Sequence, residues 1–260
     1  MAHFGEEPFL SGTRGSGTIF FSGCALGCRF CQNYPISHRL KGQILSAEDL
    51  LLQVEQLIRA GVHNLNWVTA SHYALDLLPV LQQLRTHGHT LPMIWNTSAY
   101  ESVETLRTFS ETIQIYLPDF KFWSPELSGQ LARAPDYAQV AGEAIQEMLR
   151  QQPKAFFSDE GLLLRGVVLR HLVLPGHLKD SLQVIDYLAA TVPLDLPFSL
   201  MSQYTPFPDL AGNLQKHPEL QRRLTTYEYN KAVDHAVARG FSQILTQERS
   251  SATPAWTPDF

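Results

Sequence analysis

Three cysteines, the only ones in the chain, stand together as Cys24-Ala-Leu-Gly-Cys28-Arg-Phe-Cys31. They follow an apolar, strand-like run, Gly17-Thr-Ile-Phe-Phe-Ser-Gly. Cubane iron–sulfur clusters are held by thiolates, one per iron, so three ligands leave one iron open for chemistry. A structural zinc ion wants four ligands in tetrahedral geometry; the fourth would have to be His38 or one of the more distant histidines. A Cys28–Cys31 disulfide would leave Cys24 odd, in a chain with no other sign of a secreted disulfide scaffold. A free-thiol core does not explain why all three cluster in one glycine-flanked loop. The cluster reading accounts for the pattern best.

The spacing, with the aromatic Phe30 just before the third cysteine, resembles the radical S-adenosylmethionine (SAM) superfamily. The wider string from Gly15-Ser-Gly-Thr-Ile-Phe-Phe-Ser-Gly-Cys24 to Cys31-Gln-Asn-Tyr-Pro-Ile-Ser37 looks like the branch related to pyruvate formate-lyase activating enzymes. The resemblance implies a 4Fe-4S cluster on Cys24, Cys28 and Cys31, with SAM chelating the open iron. It also implies an electron donor such as a flavodoxin or ferredoxin, and reductive cleavage of SAM to a 5′-deoxyadenosyl radical that abstracts hydrogen from a substrate. That substrate is a partner protein, as for glycyl-radical activases, or a small molecule. The competing reading is a non-catalytic barrel holding a cluster or zinc for stability or electron transfer.

SAM also needs protein contacts, and parallel α/β folds place ligands at the carboxyl ends of their strands. After the second strand many relatives carry Gly-Gly-Glu for the SAM amino group. Here the chain reads Val68-Thr-Ala-Ser-His72, so Thr69, Ser71 and His72 are the candidates, with helix capping by Ser71 as the plain alternative. After the third strand Asn96 and Thr97 resemble an Asn-Thr pair that meets the SAM carboxylate, a role compatible with capping by Thr97 or Ser98. Asp119 and Lys121 follow the fourth strand and match an Asp-x-Lys of the activating enzymes, the acid suited to ribose hydroxyls. Arg170, inside an apolar strand, needs a carboxylate partner, either that of SAM or that of a protein acid. Phe30 and Tyr204 are the candidates for the adenine. Met201 reads as core.

These residues must be positioned by βα units. Short apolar runs alternate with helical patterns, which argues for an α/β fold with a largely parallel sheet. Strands are expected near Thr18–Ser22, Leu65–Thr69, Met93–Asn96, Ile113–Pro118, Gly166–Leu174 and Phe198–Ser202. Helices are expected over Leu50–Ile58 behind an N-cap at Ser46, and over Ala74–His87, Val103–Phe109, Tyr137–Gln151, Leu178–Ala190 and Leu220–Arg239, with a short strand at Gln243–Thr246. Six such units, taken with the resemblance, imply an open partial (β/α)6 barrel of the radical SAM type with a C-terminal helical extension. Residues 1–16 read as a leader laid over the domain, 17–205 as the core domain and 206–260 as the extension.

The hydrophobic content of 44% is enough for a substantial core. A net charge of −5 offers no general attraction for nucleic acid or anionic lipid. No apolar run reaches membrane-spanning length, and the first twenty residues lack a signal-peptide pattern. Reduced cysteines and an oxygen-sensitive cofactor point to the cytoplasm.

Overall fold

The structure, a computed structural model, describes residues 1–207 and 214–247. Its strands are β1 (Ala2–His3), β2 (Ser16–Phe20), β3 (Leu65–Val68), β4 (Met93–Thr97), β5 (Ile115–Pro118), β6 (Phe156–Phe157), β7 (Leu163–Val167), β8 (Leu169–Leu172), β9 (Pro197–Met201) and β10 (Gln243–Leu245). Its α-helices are α1 (Pro8–Ser11), α2 (Tyr34–Ser37), α3 (Ala47–Arg59), α4 (Ala74–Thr86), α5 (Val103–Thr108), α6 (Pro125–Ala132), α7 (Tyr137–Gln151), α8 (Leu178–Thr191) and α9 (Thr226–Ala238).

Local chemistry explains the helix starts. The Ser46 hydroxyl accepts the Asp49 backbone N–H, and Glu48 and Asp49 lie in the first turn of α3, where acids favour the helix dipole. Thr225 and Glu228 form a reciprocal capping box that starts α9 six residues later than the expected Leu220. Pro218–Gln221 is a separate 3₁₀ turn.

One sheet runs β1-β2-β3-β4-β5-β7-β6 and a second runs β10-β9-β8. The expected strand from Gly166 to Leu174 is divided between them: β7 pairs with β5, and β8 pairs with β9. Gly166, at φ 135°, sits at the bend, where an added Cβ would lie 2.8 Å from the backbone of Ala155. A bridge between Asp119 and Arg170 keeps β5 beside β8. The parallel strands β2, β3, β4, β5, β7–β8 and β9 therefore make one curved, open α/β wall. Antiparallel β1 lies on one edge, and parallel β10 extends the other, so the C-terminal segment adds a strand as well as a helix. Residues 208–213 and 248–260 of that segment lie outside the described residues.

Strand alternation divides the side chains between two faces. Trp67, Trp95 and Tyr116 belong to the large core beneath the helices, with Val54, Leu81, Phe109 and Ile145. Ile94, Ile115, Leu117 and Val168 form a smaller inner cluster with Leu10 of α1, so the N-terminal segment fills the concave side of the wall. Helix α6 and the β6–β7 hairpin are additions to the expected element list.

Candidate active site

The cysteine loop leaves the carboxyl end of β2. Gly23 and Gly27 both take positive φ, and an added Cβ at Gly23 would meet the His72 ring at 2.9 Å. The loop is tied down by Gly23 N–H to the Ile36 carbonyl (2.9 Å) and Arg29 N–H to the Leu131 carbonyl (2.8 Å). Cys28 is buried, while Cys24 and Cys31 are partly exposed. Burial pushes the Cys28 and Cys31 thiols up, and each is raised further by its neighbouring cysteines. Three neighbouring thiols, two of them with raised pKa values, are poor thiolates alone and good ones around a polycationic centre. The Ser37 hydroxyl donates to Cys31 Sγ at 3.3 Å, a contact suited to a charged sulfur. His38, the imidazole first considered for a fourth zinc ligand, already contacts Ser37 Oγ at 2.8 Å and the Gly27 backbone. The donor set fits a three-thiolate cluster.

At the end of β5, Lys121 Nζ lies 2.6 Å from Asp119 Oδ2. Burial alone would push the lysine down, yet Asp119 and the sulfurs of Cys28 and Cys31 raise it, so it stays charged beside the cysteine loop. The Tyr137 hydroxyl sits among the Asp119 and Ser98 carbonyls and the Lys121 N–H, joining the loops after β4 and β5. Phe30 is buried edge-on against Phe122 and Tyr204, with centroids 6.0 and 6.3 Å away. Tyr204 is itself buried, its hydroxyl donating to the Leu220 carbonyl at 2.6 Å. It packs behind Phe30, the other residue expected to meet the adenine.

The loops after β3 and β4 also differ from expectation. Thr97 lies on the Trp95 side of β4, and its hydroxyl donates to Glu101. The Ser71 hydroxyl (2.7 Å) and Trp95 Nε1 (2.8 Å) donate to the same Glu101 oxygen. Two of the three hydroxyls expected near SAM, those of Ser71 and Thr97, thus meet a buried carboxyl that burial pushes up. Thr69 takes φ 58°, a left-handed conformation costly for a β-branched residue. His72 Nε2 contacts the Ser22 carbonyl at 2.6 Å and so braces the cysteine loop.

Arg170 is paired with protein acids. Its Nε donates to Glu7 Oε1 at 2.9 Å, and its Nη2 reaches both Glu6 and Glu7. Asn66 Nδ2 donates to Glu6 Oε1 at 2.8 Å, and Asn96 Nδ2 is 3.4 Å from the same oxygen. Of the two partners open to Arg170, the structure contains the protein one, and Asn96 turns toward it as well. Arg170 holds Glu7 below the usual carboxylate range, although burial alone would raise it. His171 faces the opposite side, between the Phe120 carbonyl (2.7 Å) and Ser181 Oγ (2.9 Å). Glu6, Glu7, Glu101 and Tyr137 are site-shaping residues that sequence reasoning missed; the demand of Arg170 for a partner was the one signal toward the glutamates.

Several comparisons bear on this arrangement. A sequence model described as the radical SAM superfamily matches residues 18–167, more than half of the chain. An uncharacterised protein of Methanocaldococcus jannaschii, MJ0674, is 27% identical over 241 residues, covering 90% of this chain. The chain spans 64% of that relative's length. Streptococcus suis SuiB bound to its precursor peptide SuiA superposes with a TM-score of 0.58 at 12% identity, over 92% of this chain and 50% of SuiB. SuiB bound to S-adenosylmethionine gives 0.55 at 12% identity, over 92% and 49%. By family match and by fold the chain belongs to the radical SAM superfamily, whose cofactors are a 4Fe-4S cluster and S-adenosylmethionine.

Proposed function

We propose that the chain cleaves S-adenosylmethionine reductively at a cluster held by Cys24, Cys28 and Cys31, and directs the resulting 5′-deoxyadenosyl radical at a protein or peptide partner. The observation that carries this reading is the cysteine loop at the end of β2, with the Asp119–Lys121 pair close enough for its charge to act on the thiols. When bound, the cluster supplies the electron that breaks the sulfur–carbon bond of SAM.

The protein's own part is orientation and charge. Lys121 offsets part of the negative charge of the thiolates and holds Asp119 at the strand end. Asp119, with its side chain 21% exposed, takes the ribose hydroxyls. Phe30, fixed against Phe122 and Tyr204, offers an apolar edge to the adenine. Thr69 and His72 line the approach beside the cysteine loop. Ser71 and Thr97 act indirectly, through Glu101, by holding the β3 and β4 loops together. The Glu6–Glu7–Arg170 group closes the pocket from the concave side, and Asn96 lies between that group and the strand end.

SuiB was solved bound to a precursor peptide, and its likeness in fold supports a polypeptide partner here. An activating role toward a glycyl-radical enzyme is the form of this reading that the sequence resemblance favours. Among the described residues no helix is long and apolar enough to cross a membrane. A cytoplasmic setting, with electrons from a flavodoxin or ferredoxin, completes the reading.

Anaerobic reconstitution tests it. Protein loaded with about four irons and reduced in the presence of SAM is expected to yield 5′-deoxyadenosine and methionine, and Cys→Ala at position 24, 28 or 31 to abolish both. Full loading without SAM cleavage under strong reduction refutes the enzyme. Deuterium transfer into 5′-deoxyadenosine from a labelled metabolite, with none from any polypeptide, refutes the protein partner.

A further inference from the structure

At the amino-terminal end of the wall, away from the cysteine loop, three metal-binding side chains converge. Glu55 lies on α3, His87 caps α4, and His89 follows two residues later. One donor atom from each lies within 4.8 Å of the other two. The convergence follows from the backbone. Gly88, at φ 82° with open space around its Cβ direction, turns the chain between the two histidines and leaves their ring centroids 6.5 Å apart.

The loop that carries them is anchored. Arg85 donates to the His89 carbonyl (3.0 Å), the Leu91 carbonyl (3.1 Å) and the Thr112 carbonyl (3.2 Å), and it also contacts Gln114. A ligand loop held by its backbone loses less freedom when a metal arrives. The nearest competitor for the carboxylate is Arg59, whose Nη1 stands 4.0 Å from Glu55 Oε2 with its side chain 68% exposed. So loose and exposed an ion pair opens at little cost.

We propose that Glu55, His87 and His89 form a second metal site, separate from the cysteine loop, for a divalent cation of the zinc type. Two neutral imidazoles and one carboxylate make a three-ligand set with an open position for water. The ion stitches α3 to the loop between α4 and β4. Its role is to brace the amino-terminal end of the wall, since the candidate active site lies at the carboxyl ends of the same strands. The site stands independently of the radical SAM reading, because none of its residues serves that reaction.

The test uses protein whose cysteines are first occupied by reconstituted cluster or, in a parallel sample, blocked by alkylation. Zn²⁺ is then titrated calorimetrically, and Co²⁺ is added as a spectroscopic probe. The expected result is one Zn²⁺ per chain, a raised Tm, and Co²⁺ d–d bands without thiolate charge transfer. His87→Ala and His89→Ala are each expected to weaken binding at least about tenfold, and Glu55→Gln to weaken it less, with circular dichroism unchanged. No stoichiometric uptake by wild type overturns the site, as does uptake that the histidine variants leave unaltered, which marks adventitious binding elsewhere. Absence of SAM cleavage in the cluster-loaded preparation, with Zn²⁺ uptake intact, would instead count against the enzyme reading alone.

Discussion

Removing Arg170 while leaving its partners in place is the sharpest test of how the pocket is built. The side chains of Arg170 and Glu7 are each 8% exposed, and that of Glu6 is 10% exposed, so Arg170→Met strands two buried carboxylates. Breaking a buried ion pair by removing one partner costs about 3–5 kcal/mol, because the remaining charge is uncompensated. For a chain of this size each kcal/mol lowers Tm by about 2–4 °C, so Tm is expected to fall by roughly 6–20 °C at pH 8. Replacing all three residues (Glu6→Leu, Glu7→Leu, Arg170→Met) removes the stranded charge and should restore most of the loss.

The pH dependence gives a second check on the same group. In wild type Arg170 holds Glu7 below its ordinary value, so that stability is present above the unfolded pKa and is lost as pH falls through the lower folded one. Without the guanidinium, burial dominates and the folded pKa rises above the unfolded value. The variant's stability is then greatest below the unfolded pKa and declines as pH rises through the folded one. Relative to wild type, which weakens on acidification over the carboxylate range, Arg170→Met is therefore expected to gain. Denaturant melts of metal-free protein between pH 8 and pH 4 measure both trends. A loss below about 1 kcal/mol, or the same pH trend in both proteins, refutes the buried-triad account.

Three further outcomes are expected. Thr69→Gly relieves a left-handed β-branched residue and should stabilise the protein by roughly 1 kcal/mol in denaturant melts, opposite in sign to an ordinary strand-end Thr→Gly. Glu101→Ala leaves the Ser71, Thr97 and Trp95 donors without their shared acceptor, at a cost of about 1–3 kcal/mol. It should raise the KM for SAM while leaving cluster loading, read by iron content, unchanged. Burial pushes His171 down to about 4, so the native state stays neutral while the unfolded chain takes a proton near 6.5; that stability is lost as pH falls from the unfolded value through the folded one, and His171→Gln should flatten the slope in that window.

What could be read in the sequence and what could not divide along a physical line. The cysteine loop, the βα alternation and the Asp119–Lys121 pair are local: spacing, periodicity and i,i+2 proximity on one strand end are visible without the fold. Helix α7 is seen with its full extent because Tyr137, Ala141, Ala144, Ile145 and Met148 keep one apolar face over about three turns. The strand around Gly166 was expected whole because an apolar run does not reveal which neighbour each half pairs with. Only the curvature of the wall decides that.

The contact residues show a related limit. Ser71 and Thr97 have the right chemistry for a ligand, but a hydroxyl serves a ligand or a buried acid equally well, and which of the two it meets depends on the face its strand turns inward. Glu101 settles that choice from a loop whose sequence, Ala99-Tyr-Glu-Ser, carries no periodic signal. Arg170 shows the limit most clearly. Its burial in an apolar strand made a carboxylate partner a physical necessity, yet that partner lies 163 residues away in a Gly-Glu-Glu-Pro segment with no strand or helix pattern of its own. A buried charge announces that a partner exists, and only the path of the chain says which one. The N-terminal acids are therefore part of the construction of the strand end that carries Arg170, and substitutions there should act on it as strongly as substitution of Arg170 itself.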